Sequence, residues 1–156
     1  MTAASVLENA RGNSFVLLQL SDQRFALPAE LVAELAPPVR LHSFPHSSPM
    51  LSGVIVRRGR ILPVYDAGRA LSGRSSLAHR FYLVARRQFG EVTELGAIPV
   101  DGECELISGE MQPPASDLPP YVRGTITNGD QTLGVLDIDA LVKLHSTESS
   151  AAEAHP

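Results

Sequence analysis

The chain is poor in the residues that staple, anchor or catalyse. It has one cysteine, Cys104, so no internal disulfide can form and no framework of a secreted mini-domain exists. Its strand-like, apolar neighbours predict an inert buried thiol. Tryptophan is absent and aromatics are 5% of the chain, which leaves Val, Leu, Ile and Ala to build the core. No apolar stretch approaches the roughly 20 residues that span a bilayer. Residues Met1 to Asn13 carry Glu8 and no apolar run, unlike a signal peptide. These absences predict a cytoplasmic protein with no direct membrane insertion. The net charge of −4 argues against a nucleic-acid binder, which needs concentrated Lys and Arg.

What is present points to short strands. Hydrophobic residues make up 44% of 156, enough for one compact unit of two small lobes. Twelve glycines and twelve prolines interrupt the chain too often for long helices. The apolar run Phe15 to Leu20, a turn at Ser21-Asp22-Gln23 and the run Arg24 to Leu27 read as a hairpin. Ala29 to Ala36 reads as a helical turn leading into a strand, with Val32, Glu34 and Ala36 on one face. Pro37-Pro38 ends it, and Val39 to Pro49 is a loop.

The second half repeats the style. Arg80 to Arg86 is a strand and Gln88-Phe89-Gly90 a turn. Glu91 to Val100 returns, with Gly96 and Pro99 permitting a bulge. Cys104 to Ile107 is short, and a proline-rich loop follows to Pro120. Tyr121 to Thr127 and Gln131 to Leu136 flank Asn128-Gly129-Asp130, a strong hairpin signal. Asp66 and Asp137 each precede a short helical stretch and are placed to cap it. Residues 1–13 and 146–156 read as disordered ends around a single domain at 14–145. No repeat is visible residue by residue, and the likeness of the halves is one of style.

The richest stretch is Gly53-Val54-Ile55-Val56-Arg57-Arg58-Gly59-Arg60-Ile61-Leu62-Pro63-Val64-Tyr65-Asp66. Two β-branched runs flank Arg58-Gly59, where glycine supplies a positive φ. Two largely buried strands therefore carry a guanidinium at their tip. The wording from Gly53 to Asp66 resembles the signature of the CheW-like chemotaxis coupling proteins. Four other blocks stand in the same order as in that family. They are Phe15–Leu20 with Phe25–Leu35, then Ile98–Glu103, Tyr121–Gly124 and Leu136–Leu141. The likeness runs from about Phe15 to Leu144. The departures are Val56-Arg57, where the family usually has an Asn-Leu pair, and Pro99, where an apolar β-former is usual.

The resemblance implies an all-β fold of two SH3-like five-stranded barrel lobes with a short C-terminal helix. It implies no enzyme activity, no cofactor and no metal. The implied function is a non-catalytic adaptor that couples methyl-accepting chemoreceptor tips to a CheA-type histidine kinase, in flagellar or pilus-linked signalling. Receptor tips would dock in an apolar groove between the barrels and the kinase on barrel ends. Val32, Glu34, Gly53, Val54, Val56 and Arg58 become candidate partner-binding residues, and Glu34, Arg58, Asp66 and Asp137 structural ones.

Each sharp reading has a plain competitor. Glu34 and Arg58 could pair, and breaking a fully buried pair costs about 3–5 kcal/mol; an exposed pair is worth about 0–1 kcal/mol. Val32, Val54, Val56 and Leu62 could line a groove or be simple core. Arg57, Arg58 and Arg60 lack the interleaved aromatics of a nucleic-acid surface. His42 and His46 have metal-like spacing only on a helix, which Pro45 breaks. The alternatives to an adaptor are a small-barrel nucleic-acid or ligand-binding protein, or a hydrolase built on Asp66 or Asp101.

Overall fold

The structure, a computed structural model, describes residues 14–43, 50–73, 81–89, 91–101 and 104–144. The expectations for both chain ends, for His46 and for the strand start at Arg80 lie outside those residues. Strands β1 (Ser14–Leu20) and β2 (Gln23–Pro28) form the first hairpin, and a 3₁₀ turn (Ala29–Leu31) leads into β3 (Val32–Ala36). Strands β4 (Leu51–Arg57) and β5 (Arg60–Tyr65) precede helix α1 (Ala67–Ser72). Strands β6 (Phe81–Phe89), β7 (Val92–Val100), β8 (Glu105–Ser108), β9 (Val122–Asn128) and β10 (Gln131–Leu136) follow, then helix α2 at 138–144.

The strands make two five-stranded sheets, ordered β8-β1-β2-β10-β9 and β3-β6-β7-β5-β4. Each contains two antiparallel hairpins joined by one parallel contact, β2 with β10 in the first lobe and β5 with β7 in the second. The second lobe is continuous in the chain, whereas the first draws β1 and β2 from one end and β8 to β10 from the other.

The lobes are a residue-level repeat, which corrects the expectation of likeness in style only. Gly53, Ile55, Leu62, Val64 and Asp66 correspond to Gly124, Ile126, Leu133, Val135 and Asp137, each pair 71 positions apart. The hydrogen bonds follow the same offset. Asp66 N–H donates to the Met50 carbonyl and Asp137 N–H to the Tyr121 carbonyl. The Arg69 and Ala140 amides donate to the Asp66 and Asp137 carboxylates, both at 3.0 Å. In the β2 and β7 strands Ala26, Leu27 and Pro28 match Ala97, Ile98 and Pro99 at the same spacing.

Burial explains why those positions agree. Ile126, Leu133 and Val135 join Phe15, Leu17, Ala26 and Ile107 in the core of the first barrel. Ile55, Leu62 and Val64 join Ala36, Tyr82, Val84 and Ala97 in the core of the second. A third, larger cluster lies between the lobes and includes Leu18, Leu27, Leu83, Ile98 and Leu141. Fully burying a side chain of this size stabilises by about 1.5–3 kcal/mol, so the shared cluster holds the lobes against each other.

Several local expectations change. Strand β6 runs on through Phe89, which pairs with Val92, so Gln88 and Phe89 extend the hairpin instead of turning it. The β6–β7 register is unbroken at Gly96 and Pro99, so no bulge forms there. Gly96 is explained by the Tyr65 ring, which a methyl at Gly96 would approach to 2.9 Å. Asn128 pairs with Gln131, which leaves Gly129-Asp130 at the centre of the last turn, with positive φ at Gly129 alone. The strand begins at Glu105, not Cys104; burial pushes the Cys104 thiol up to about 11, so it stays protonated at neutral pH.

Candidate partner-binding surfaces

The β4–β5 turn is the tightest reversal that two strands allow. Arg57 pairs with Arg60 across it, and both central residues have positive φ, 54° at Arg58 and 76° at Gly59. That geometry matches the right-handed twist of the strands, and glycine takes it without strain. At the other end of β4, Gly53 has φ +152°, and a methyl there would lie 2.5 Å from the His42 carbonyl oxygen. His42 and Val54 exchange both backbone bonds, at 2.8 and 2.9 Å. Gly124 serves the first lobe alike: a methyl would lie 2.6 Å from the Gln112 carbonyl oxygen, and Gln112 bridges to Thr125.

Glu34 sits where β3 and β4, the two edges of the second sheet, face each other. Its main partner is Arg57. Arg57 Nε donates to Oε1 at 3.0 Å and Nη2 to Oε2 at 3.4 Å. Arg58 adds a longer bond from Nε to Oε2 at 3.3 Å. The Arg57 and Glu34 side chains are 24% and 23% exposed, whereas Arg58 is 74% exposed. The expected Glu34–Arg58 pair is therefore the outer, weaker arm of a three-member cluster. The arginine that departs from the family pattern is the inner member. The Arg57 guanidinium holds the Glu34 carboxyl below its usual range, helped by the charges of Arg57 and Arg58 and opposed by desolvation.

Glu34 can reach Arg57 because of a bulge. The β3–β6 register slips between Val32, which pairs with Ala85, and Glu34, which pairs with Val84. The extra residue, Ala33, turns Glu34 and Ala36 toward the barrel interior and leaves Val32 against the cluster between the lobes. Val32 and Glu34 are thus on opposite faces, contrary to plain alternation.

The other candidate positions divide by accessibility. Val32 and Leu62 are buried, as is Gly53. Val54 is half-buried and Val56 is 51% exposed. Val56 pairs with Ile61, which is 71% exposed, and Val54 pairs with Pro63. Because Ile55 and Leu62 point inward, these four share the outer face of the hairpin. The strands are thus buried on one side only. Ile61 was not anticipated, although its place beside buried Leu62 in a period-two strand would have found it. The corresponding outer positions of β9–β10 are Thr125, Thr127, Thr132 and Gly134.

Asp66 and Asp137 bond the backbone amides of their own helices, an arrangement for capping and not for acid–base chemistry. Each helix reaches the opposite lobe. Gly68 of α1 lies against Leu20 and Ser21 of the first lobe. Asp139, its counterpart in α2, accepts a 2.8 Å bond from Arg87 Nε of β6. Arg87 is buried and stacks over the Tyr65 ring at 4.6 Å. Among the described residues no three His, Cys, Asp or Glu side chains gather to hold a metal, and no helix is long and apolar enough to cross a membrane.

Two five-stranded barrels sharing an interlobe core define an all-β protein of SH3-like architecture. The sequence matches the family model of the CheW-like domain over residues 14–145, and the chain belongs to that family. The crystal structure of the scaffolding protein TtCheW from Thermoanaerobacter tengcongensis superposes with a TM-score of 0.68 at 19% identity. The match covers 80% of this chain and 88% of that one. No curated protein matches the sequence at a significant level.

Proposed function

We propose that this chain is a non-catalytic, cytoplasmic adaptor that couples a methyl-accepting chemoreceptor to a CheA-type histidine kinase through one domain at 14–145. Membership of the CheW-like family supports chemosensory scaffolding, and the two partners follow from the family resemblance. The observation that carries the reading is the contrast between the outer faces of the repeated hairpins. Val54, Val56, Ile61 and Pro63 lie on one, and Thr125, Thr127, Thr132 and Gly134 occupy the same places on the other. The fold is thus compatible with a polar face at these positions. An exposed apolar strand pair beside an edge strand invites aggregation unless a partner covers it. The kinase regulatory domain is assigned to this face, flanked by the exposed tip residues Arg58 and Arg60. The receptor tip is assigned to the groove between the lobes.

Reconstitution tests this. Purified kinase, a receptor cytoplasmic fragment and this chain should together give receptor-dependent kinase activity that no pair gives. Val56→Thr with Ile61→Thr should weaken kinase binding at least tenfold while the chain stays folded. Receptor control without this chain, or unchanged kinase affinity in the double variant, would overturn the assignment.

A further inference from the structure

The groove between the lobes contains a cleft of about 250 Å³. Leu31, Arg86 and Arg87 line it from the second lobe, and Arg123, Leu136, Asp137, Ile138 and Asp139 from the first. Its lining joins apolar Leu31, Leu136 and Ile138 to three arginines and two aspartates, in a chain whose net charge is −4. The repeat again supplies a reference. Ser52 stands where the first lobe has Arg123 and Gly68 where α2 has Asp139, both 71 positions apart, and the hairpin registers place Leu20 of β1 in the position of Arg87 of β6. Arg87 ties β6 to α2 through Asp139, whereas no bond to the fold accounts for the exposed Arg123 among the described residues.

The three guanidiniums are not equally occupied. Arg87 is neutralised by Asp139. Arg86 Nη1 donates to the carbonyls of Glu30 and Val32, at 3.1 and 3.2 Å, which fixes the guanidinium without neutralising it. Arg123 is exposed and has no carboxylate partner among the described residues. Against these, Asp137 and Asp139 supply two negative charges, which leaves the cleft one positive charge in excess. That balance suits a monoanion and disfavours a dianionic phosphate held beside Asp139. Arginine forks also match the planar carboxylate, which two guanidiniums can bracket.

We propose that this cleft binds an acidic side chain, Glu or Asp, presented by the partner that docks between the lobes, its carboxylate held between Arg86 and Arg123 and its neighbouring apolar residue on Leu31, Leu136 and Ile138. The identity of that partner rests on the adaptor reading; the chemistry of the cleft does not. Because the two arginines belong to different lobes, the bound carboxylate links them.

Two experiments decide the matter. In the first, the full chain labelled with ¹⁵N is titrated with the α-amide of N-acetylglutamate, which presents one side-chain carboxylate, with neutral N-acetylglutamine amide or with inorganic phosphate, following the Nε–H signals of Arg86 and Arg123. The N-acetylglutamate α-amide should shift both signals saturably and at least fivefold more than either control, and Arg123→Gln should abolish the response. No shift, an equal shift with the neutral amide, or a larger one with phosphate overturns the proposal. In the second, a receptor cytoplasmic fragment should bind Arg123→Glu at least tenfold more weakly than the unmodified chain, and one Glu→Arg change in the fragment should restore binding. Equal affinity for the unmodified chain and Arg123→Glu overturns the cleft assignment and leaves the adaptor reading standing. A fragment that binds neither, with a positive titration, supports the site and removes the receptor from the adaptor reading.

Discussion

Where the β4–β5 hairpin turns Val54, Val56, Ile61 and Pro63 outward, the β9–β10 hairpin turns out Thr125, Thr127, Thr132 and Gly134. Beneath both lie the same inward residues, an isoleucine, a leucine and a valine at matching positions. Both hairpins begin at a glycine under a crossing carbonyl and end at a capping aspartate. The shared set is therefore what the barrel demands, and the unshared set is what the barrel leaves free. The tips differ by the same logic. Arg57, Arg58 and Arg60 stand where the first lobe has Asn128, Gly129 and Gln131, and Arg57 and Arg58 engage an acid on the opposite edge strand. A chain that contains its fold twice carries its own control for which residues are structural.

The crossing glycines give the strongest test, since they should fail together but unequally. Gly53→Ala forces a methyl onto the His42 carbonyl and puts a side chain at φ +152°. Overpacking costs about 1–3 kcal/mol and backbone strain about 1–3 kcal/mol more. Gly124→Ala meets the same kind of carbonyl contact, 2.6 Å from Gln112, without positive φ. Urea midpoints should therefore fall in both variants and fall further in Gly53→Ala. Equal losses would mean that the φ at Gly53 relaxes freely.

Next in size is the cluster found in one lobe only. Removing Glu34 or Arg57 breaks a charge-assisted bond at about a quarter exposure, worth about 1–3 kcal/mol before solvent screening reduces it. Arg58, being mostly exposed, should contribute less than about 0.5 kcal/mol. A double-mutant cycle on Glu34 with each arginine should give the larger coupling to Arg57. Equal couplings would return the tip arginine to the structural role that the family resemblance implies.

The hairpins and both aspartate caps were legible in the sequence because each depends on a local signal: β-branched runs, glycine at the turns, an acid before a short helix. The repeat was not, for two reasons. The first lobe is assembled from both ends of the chain, so its strands are not contiguous. The inward positions are also separated by outer residues that differ completely between the copies. The Glu34–Arg57 contact escaped because it depends on a bulge at Ala33, and one inserted residue inverts the facing of everything beyond it. The Arg86–Arg123 cleft escaped because its two walls belong to different lobes and meet only when the interlobe core forms.

The Glu34 cluster also makes the lobes unequal toward acid. The Glu34 carboxyl titrates below its usual range in the folded chain. Its contribution is therefore complete above the unfolded carboxyl's pKa, near 4.3, and disappears as pH falls through the folded value. The difference in urea midpoint between the unmodified chain and Glu34→Gln should be constant from pH 7 to 5 and shrink below pH 4. A difference that grows in acid would mean that the carboxyl is not stabilised in its charged form by Arg57.

The smallest expected effect on stability is the most telling for the comparison. Exchanging outer faces, with Val56→Thr and Ile61→Thr in one hairpin, changes side chains that are half or more exposed. Substitutions of this kind usually fall within about 0.5 kcal/mol, and threonine retains the β-branching that the strand favours. The midpoint should therefore hardly move, as it should for the reverse exchange, Thr127→Val and Thr132→Ile. What should move is behaviour at high concentration. The first exchange should raise the concentration at which the isolated chain self-associates in sedimentation, and the second should lower it. Should the Val56 and Ile61 exchange destabilise by several kcal/mol, the apolar face would belong to the fold after all, and the two hairpins would differ in how they are held rather than in what they bind.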